Sequence, residues 1–139
     1  MSVDAAVRGP LLLTHPAQSL AAYRAQGGYH ALEGVLAAGD PERVVAQVDA
    51  AGLRGRGGAA FPTARKWRAA LSQPGPRFLV CNGGEDEPGS LKDRQLMEHH
   101  SHTVLEGLLL AAHAVGAERA FLKRGALWHI YPQGRQERL

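Results

Sequence analysis

Apolar residues recur at helical spacing in three parts of the chain, and between the second and third parts lies a short unbroken apolar run. Residues 18–38 carry two short helical patterns, split near Gly27-Gly28. Asp40 then predicts an N-cap, with Pro41 at the first helical position and Glu42 complementing the dipole. Val44, Val45, Val48 and Ala51 form the stripe of that helix, and Gly52 its stop. Thr63 predicts the cap of a short helix over 64–71, ended by Pro74-Gly75-Pro76. Phe78-Leu79-Val80-Cys81 reads as a strand buried on both faces, as in a parallel sheet. Thr103 and Glu106 have capping-box spacing, opening a helix with the stripe Val104, Leu105, Leu108, Leu109, Ala112 and Val115, which Gly116 ends. Ala120-Phe121-Leu122 reads as a second strand. Strand, helix, strand is a βαβ unit, so the expected class is α/β with a right-handed crossover.

Composition sharpens this pattern at one place. Seventeen of 139 residues are glycine, more than average usage of roughly 7%, and many fall between Gly52 and Gly89. Loop backbone is therefore the candidate for chemistry. The net charge of +3 suits anionic partners such as phosphate groups, nucleic acid or an acidic protein surface. Nucleic acid is the weakest of these, because interleaved aromatics and a known binding motif are both missing. Cys81 is the sole cysteine, so neither an intrachain disulfide nor a cysteine-ligated cluster can form within one chain. No leader pattern is legible at the N-terminus. The most apolar stretch, 104–115, is interrupted by Glu106 and His113 and is shorter than the roughly 20 residues that span a bilayer. The chain reads as soluble, cytoplasmic and without direct membrane insertion.

Two segments offer a site. In 54–63, Arg54-Gly55-Arg56-Gly57-Gly58-Ala59-Ala60-Phe61-Pro62-Thr63, glycines let backbone N–H groups turn toward one point, and a helix N-terminus follows. Arg54, Arg56 and Lys66 add positive charge. Such a loop suits a phosphate or pyrophosphate, although a ligand-free surface loop has the same composition. Gly55, Gly57 and Ala60 satisfy the loose dinucleotide spacing, but a helix and not a strand precedes them; nor does Gly-Lys-Ser/Thr follow. In 82–89, Asn82-Gly83-Gly84-Glu85-Asp86-Glu87-Pro88-Gly89 leaves the C-terminal end of the first strand, where ligands bind in open α/β sheets. Three acids so close repel one another unless a cation, ligand or basic side chain lies nearby; a solvated acidic turn would look the same. His99, His100 and His102 crowd one loop but match no common zinc spacing, so no metal site is assigned.

The two glycine loops together carry a resemblance. Residues 52–63 with Lys66-Trp67, and Cys81-Asn82-Gly83-Gly84-Glu85-Asp86-Glu87-Pro88-Gly89-Ser90 with Lys92-Asp93-Arg94, resemble the flavin loop and second cofactor loop of the NADH-oxidising flavoprotein subunit of respiratory complex I. Related subunits occur in NAD-reducing hydrogenases and NAD-dependent formate dehydrogenases. The likeness covers roughly 18–125 and continues through Glu106-Gly107. It implies a partial Rossmann-like layer, a βαβ unit with N-terminal helices and two glycine-rich cofactor loops. Residues 1–17 would be an N-terminal arm, 18–125 an FMN- and NADH-binding domain in part, and 126–139 a divergent tail. By the resemblance Gly55, Arg56, Gly57, Gly58 and Lys66 would hold FMN, with Asn82 and Glu85 contacting the flavin from the second loop. Phe61 and Glu87 would face bound NADH. The family passes hydride from NADH to flavin and then single electrons to iron–sulfur clusters, so no protein nucleophile or general base is required. Other subunits of an electron-transfer complex would be partners, holding the chain peripherally on the inner face of the membrane.

The chain departs from the family pattern at Ala60, where glycine is usual, and at Gly84, where aspartate is usual. The likeness stops after Arg124-Gly125, and 126–139 does not read as the helix expected there. A truncated gene, a frameshift and a naturally short relative all fit that end. The expectations are an incomplete layer, prone to marginal stability or self-association, and no iron–sulfur cluster in this chain. A non-catalytic remnant or assembly module is the alternative function.

Overall fold

The computed structural model describes residues 19–56, 58–85, 87–124 and 127–132; the expected arm 1–17, Gly57, Asp86 and residues 133–139 lie outside them. Three short helices come first. α1 (Leu20–Ala25) is capped by Ser19, whose hydroxyl accepts from the Ala22 N–H at 3.2 Å. The turn into α2 (His30–Ala38) needs Gly28, because a Cβ there would lie 2.2 Å from the Tyr23 ring. α3 (Pro41–Ala50) begins as expected: the Asp40 carboxylate accepts from the Arg43 N–H at 3.3 Å, and Gly52 leaves the helix at φ 63°. α4 (Thr63–Leu71) starts one residue earlier than expected. Pro62 occupies the N-cap position, and the Thr63 side chain caps nothing.

β1 (Phe78–Gly83) and β2 (Arg119–Arg124) pair in parallel, in a register running from Phe78 opposite Arg119 to Gly83 opposite Arg124. The chain crosses between them through α5 (Lys92–His99) and α6 (Ser101–Val115), so the α/β class holds. β3 (Leu127–Pro132) adds to β2 antiparallel, giving the order β1-β2-β3. The expected tail thus begins with a strand.

Three further expectations are corrected. α5 has no counterpart in the sequence pattern, since Leu96 and Met97 are its only large apolar residues between charged neighbours. β1 is covered on one face only: exposure alternates along it, with Phe78 at 55% and Val80 at 52%. The capping box of Thr103 and Glu106 does not form, because α6 starts at Ser101 and the Glu106 carboxylate is used elsewhere. It is buried, and it accepts from the Tyr23 hydroxyl at 2.5 Å, the Tyr29 N–H at 2.9 Å and the Leu32 N–H at 3.3 Å. Glu106 therefore caps α2 from a helix more than 70 residues away.

Two apolar clusters hold the layers. Leu108, Ala112 and Val115 of α6 pack with Ala117, Ala120 and Leu122 beneath the sheet. Val44, Val45, Ala64 and Ala114 join α3, α4 and α6. Trp67 packs against both clusters and so ties α4, which follows the first glycine loop, to the layer that carries the second.

Candidate functional site

The first glycine loop is closed at its base by the backbone. Arg54 bridges Pro62, the Gly55 N–H donates to the Phe61 carbonyl at 2.9 Å, and the Thr63 N–H donates to the Leu53 carbonyl at 2.9 Å. The Arg54 guanidinium donates to the Ala60 carbonyl at 3.2 Å, so Arg54 braces the loop. Gly58 lies at φ 91°, a conformation that disfavours any side chain, and among the described residues beyond its chain neighbours no atom comes within 4 Å of the place a Cβ would take. Gly55 has no such backbone demand; a Cβ there would meet only ordinary contacts, 3.7 Å from the Phe61 carbonyl oxygen.

Beyond the loop, α4 opens with no side-chain cap and no acidic residue in its first turn. That matters because four other helices have their N-termini met by side chains: α1 by Ser19, α2 by Glu106, α3 by Asp40 and α5 by Glu85. α6 lacks a cap too, but it starts at the buried corner residue His100. The α4 terminus follows a loop whose Arg56 is exposed, and its first turn carries Arg65 and Lys66, also exposed. Although the Thr63 N–H is taken by Leu53, the helix dipole and cations adjacent in sequence remain there, a combination suited to anions. The Arg65 guanidinium lies 5.6 Å from the centroid of the Phe61 ring, which is 46% exposed.

Ala60 sits at φ 47°, in left-handed space that costs an alanine about 1–2 kcal/mol relative to right-handed backbone. Ala60→Gly relieves this strain but adds unfolded-state entropy worth about 0.5–1 kcal/mol. The net result expected is a gain of about 0.5–1 kcal/mol in urea unfolding, and an unchanged or lowered stability would contradict the strain.

The second loop is built on one carboxylate. Glu85 accepts from the Ser90 hydroxyl at 2.7 Å, the Asp93 N–H at 3.0 Å and the Arg94 N–H at 3.2 Å, with the Lys92 ammonium at 3.7 Å. Its side chain is 11% exposed. The Asp93 N–H first, then the Ser90 hydroxyl and the Arg94 N–H, hold its pKa down at about 2. Glu85 thus caps α5, which explains a helix that local sequence does not announce. Because the folded pKa is depressed, this stabilisation is present above about pH 4.5 and is lost as pH falls toward about 2. Glu85→Gln is expected to be less stable than wild type at neutral pH and to lose less on acidification over that window. Parallel acid-unfolding curves for the two proteins would contradict this.

Asn82 is exposed at the end of β1, and its side-chain carbonyl accepts from the Gly84 N–H at 3.2 Å. Gly84, Glu85, Glu87, Ser90 and Lys92 line a cavity of about 250 Å³. Burial pushes the Cys81 thiol pKa up, which disfavours a thiolate there. Asn82, Glu85 and Glu87 are therefore grouped at the sheet edge, while Gly55, Arg56, Gly58, Phe61 and Lys66 follow one another along the first loop and α4. Ser90, Lys92 and Lys123 join the second group without a sequence signal: Lys123 reaches it only through the β1–β2 register, opposite Asn82. The three histidines divide: His99 ends α5, His100 is buried at the corner, and His102 meets the Tyr29 hydroxyl at 3.0 Å. A larger cavity of about 510 Å³ lies between α2 and α3, lined largely by alanine, valine and leucine. It touches the glycine loops only at Leu53.

Residues 48–123 match the family model described as the Nuo51 FMN-binding domain. An NADH-quinone oxidoreductase subunit of Aquifex aeolicus is 45% identical over 104 residues, which are 75% of this chain and 24% of the relative. The corresponding NADH-quinone oxidoreductase subunit of Escherichia coli is 42% identical over 102 residues, 72% of this chain and 23% of the relative. The chain thus spans about a quarter of the length of these curated relatives. Among solved structures, an NAD+-reducing [NiFe]-hydrogenase in the air-oxidised state aligns with a TM-score of 0.57 and 49% identity, over 60% of this chain and 15% of that one. Among the described residues, no helix is long and apolar enough to cross a membrane.

Proposed function

The chain belongs to the Nuo51 FMN-binding domain family, and from that premise we propose that it forms the FMN-phosphate cradle of an NADH-oxidising flavoprotein. The observation that carries the proposal is the uncapped, acid-free N-terminus of α4 directly after a loop with open space at Gly58. A phosphate dianion there would receive N–H groups from the start of α4, the dipole of the helix, and charge from Arg56 and Lys66. Gly55, Gly57 and Gly58 would let it approach the backbone. Asn82 would meet the flavin at the end of β1. Glu85 would act through the fold of the second loop, since its carboxylate is engaged with the start of α5.

FMN, when bound, supplies hydride acceptance from NADH and single-electron release. The chain's own residues orient and exclude. Phe61 offers an exposed ring and Glu87 an exposed carboxylate, the two groups we assign to NADH. Arg65 rests near the Phe61 ring and would be displaced, or keep one face, when a nicotinamide stacks. The one cysteine of this chain cannot ligate an iron–sulfur cluster, so electrons from the flavin would pass to clusters held by a later domain or by a partner subunit.

A second reading, a module that keeps the loops without cofactor, is favoured by Ala60, whose methyl stands where the family pattern has glycine. Titration of the purified chain with FMN separates the two. Saturable quenching of flavin fluorescence at one FMN per chain is expected, and no quenching at millimolar FMN would favour the second reading.

A further inference from the structure

At the C-terminal edge of the parallel pair, Asn82 and Lys123 stand opposite each other in the β1–β2 register. A Cβ on Gly84 would lie 3.2 Å from the Lys123 ammonium nitrogen and 3.3 Å from the Asn82 side-chain oxygen. The space beside Gly84 is therefore flanked by a half-buried lysine reaching across from the next strand. The loop's other nearby lysine, Lys92, stands 2.6 Å from Asp93 and 3.7 Å from Glu85. Lys123 approaches from the opposite flank. An ammonium has three N–H donors, so it can serve the protein and a ligand at once.

We infer that Lys123 of β2 is a ligand residue flanking the second loop, where it would place a positive charge beside the flavin ring and favour its reduced, anionic form. The inference rests on the proposed FMN site, because Asn82 is the flavin contact beside which Lys123 lies. A bound flavin accepting hydride from NADH would gain two electrons and one proton, and hence one negative charge, with NAD+ released. With Glu85 and Glu87 on the same loop, that charge would be disfavoured without a nearby cation. A donor at Lys123 sets a positive charge against the acids of this flank.

The test is a reductive titration of the FMN-loaded chain against a reference dye, comparing wild type, Lys123→Met, Lys123→Arg and Gly84→Asp. Lys123→Met is expected to weaken reduced FMN about tenfold more than oxidised FMN, a fall of about 30 mV in the two-electron potential. Lys123→Arg should retain the wild-type potential. Gly84→Asp, which sets a carboxylate against the same ammonium, should lower it, and it carries the test if Lys123→Met does not fold. FMN bound at an unchanged potential in both Lys123→Met and Gly84→Asp would overturn the role of Lys123 and leave the proposed site standing. Failure of wild type to bind FMN would overturn both.

Discussion

Glu106→Ala is expected to remove about 3–5 kcal/mol of stability, a large share of the roughly 5–15 kcal/mol that holds an ordinary domain together. The carboxylate is buried and accepts three hydrogen bonds, from the Tyr23 hydroxyl and from the Tyr29 and Leu32 backbone N–H groups. Alanine leaves these donors without their acceptor in a partly dry place, at about 1–3 kcal/mol each before water relieves some of the loss. The effect should be regional. This carboxylate is one of the links from α1 and α2 to α6, beside the contacts of Tyr23 and Tyr29 with His102, so they should detach first, lowering the denaturant slope as well as the midpoint. Alkaline pH probes the same cluster. Burial and the bond to Glu106 push the Tyr23 pKa up to about 12 from 10.0. Stability from that tyrosine is present below about pH 10 and is lost as pH rises toward about 12. A Glu106→Ala protein with wild-type slope and midpoint would refute this role for the carboxylate.

The second large effect is expected on ligand binding with little effect on the fold. Gly55 has no positive φ, and a Cβ there would meet the Phe61 carbonyl only at ordinary distance. Gly55→Ala should therefore change stability by no more than about 0.5 kcal/mol. If the loop receives a phosphate, the methyl stands where the ligand comes close to the backbone, and FMN should bind about tenfold to a hundredfold more weakly, or about 1.4–2.8 kcal/mol. Gly58→Ala makes a useful contrast, since at φ 91° it strains the loop whether or not a ligand is present. Equal FMN affinity for wild type and Gly55→Ala would mean that the glycine serves neither the fold nor the cofactor.

What was legible in the sequence was whatever is fixed by neighbours along the chain. Asp40, Pro41 and Gly52 set the ends of α3 within a few residues, and the short apolar runs at 78–81 and 120–122 located the parallel pair. Gly58 in the first loop and Gly89 in the second were legible because a positive φ selects glycine locally. What was not legible depends on partners far away in sequence. α5 is capped by Glu85, which precedes the helix by seven residues, and α2 is capped by Glu106 from the other end of the domain. The spacing of Thr103 and Glu106 imitates a local cap, yet the long-range donors take the carboxylate. A continuous apolar run suggested a strand covered twice, whereas Phe78 and Val80 face outward. Lys123 had no signal at all, since its place beside Asn82 comes from strand register alone.

The phosphate cradle is tested most directly by comparing FMN with riboflavin, which shares the ring and lacks the phosphate. Both are titrated against the wild-type chain under one buffer and salt condition. Charge-assisted hydrogen bonds from the start of α4, Arg56 and Lys66 should together be worth about 1.5–3 kcal/mol. FMN is therefore expected to bind about tenfold to a hundredfold more tightly than riboflavin, with the gap narrowing as salt is raised. Equal affinities for the two flavins would contradict the cradle and leave the loop from Gly55 to Thr63 without a ligand.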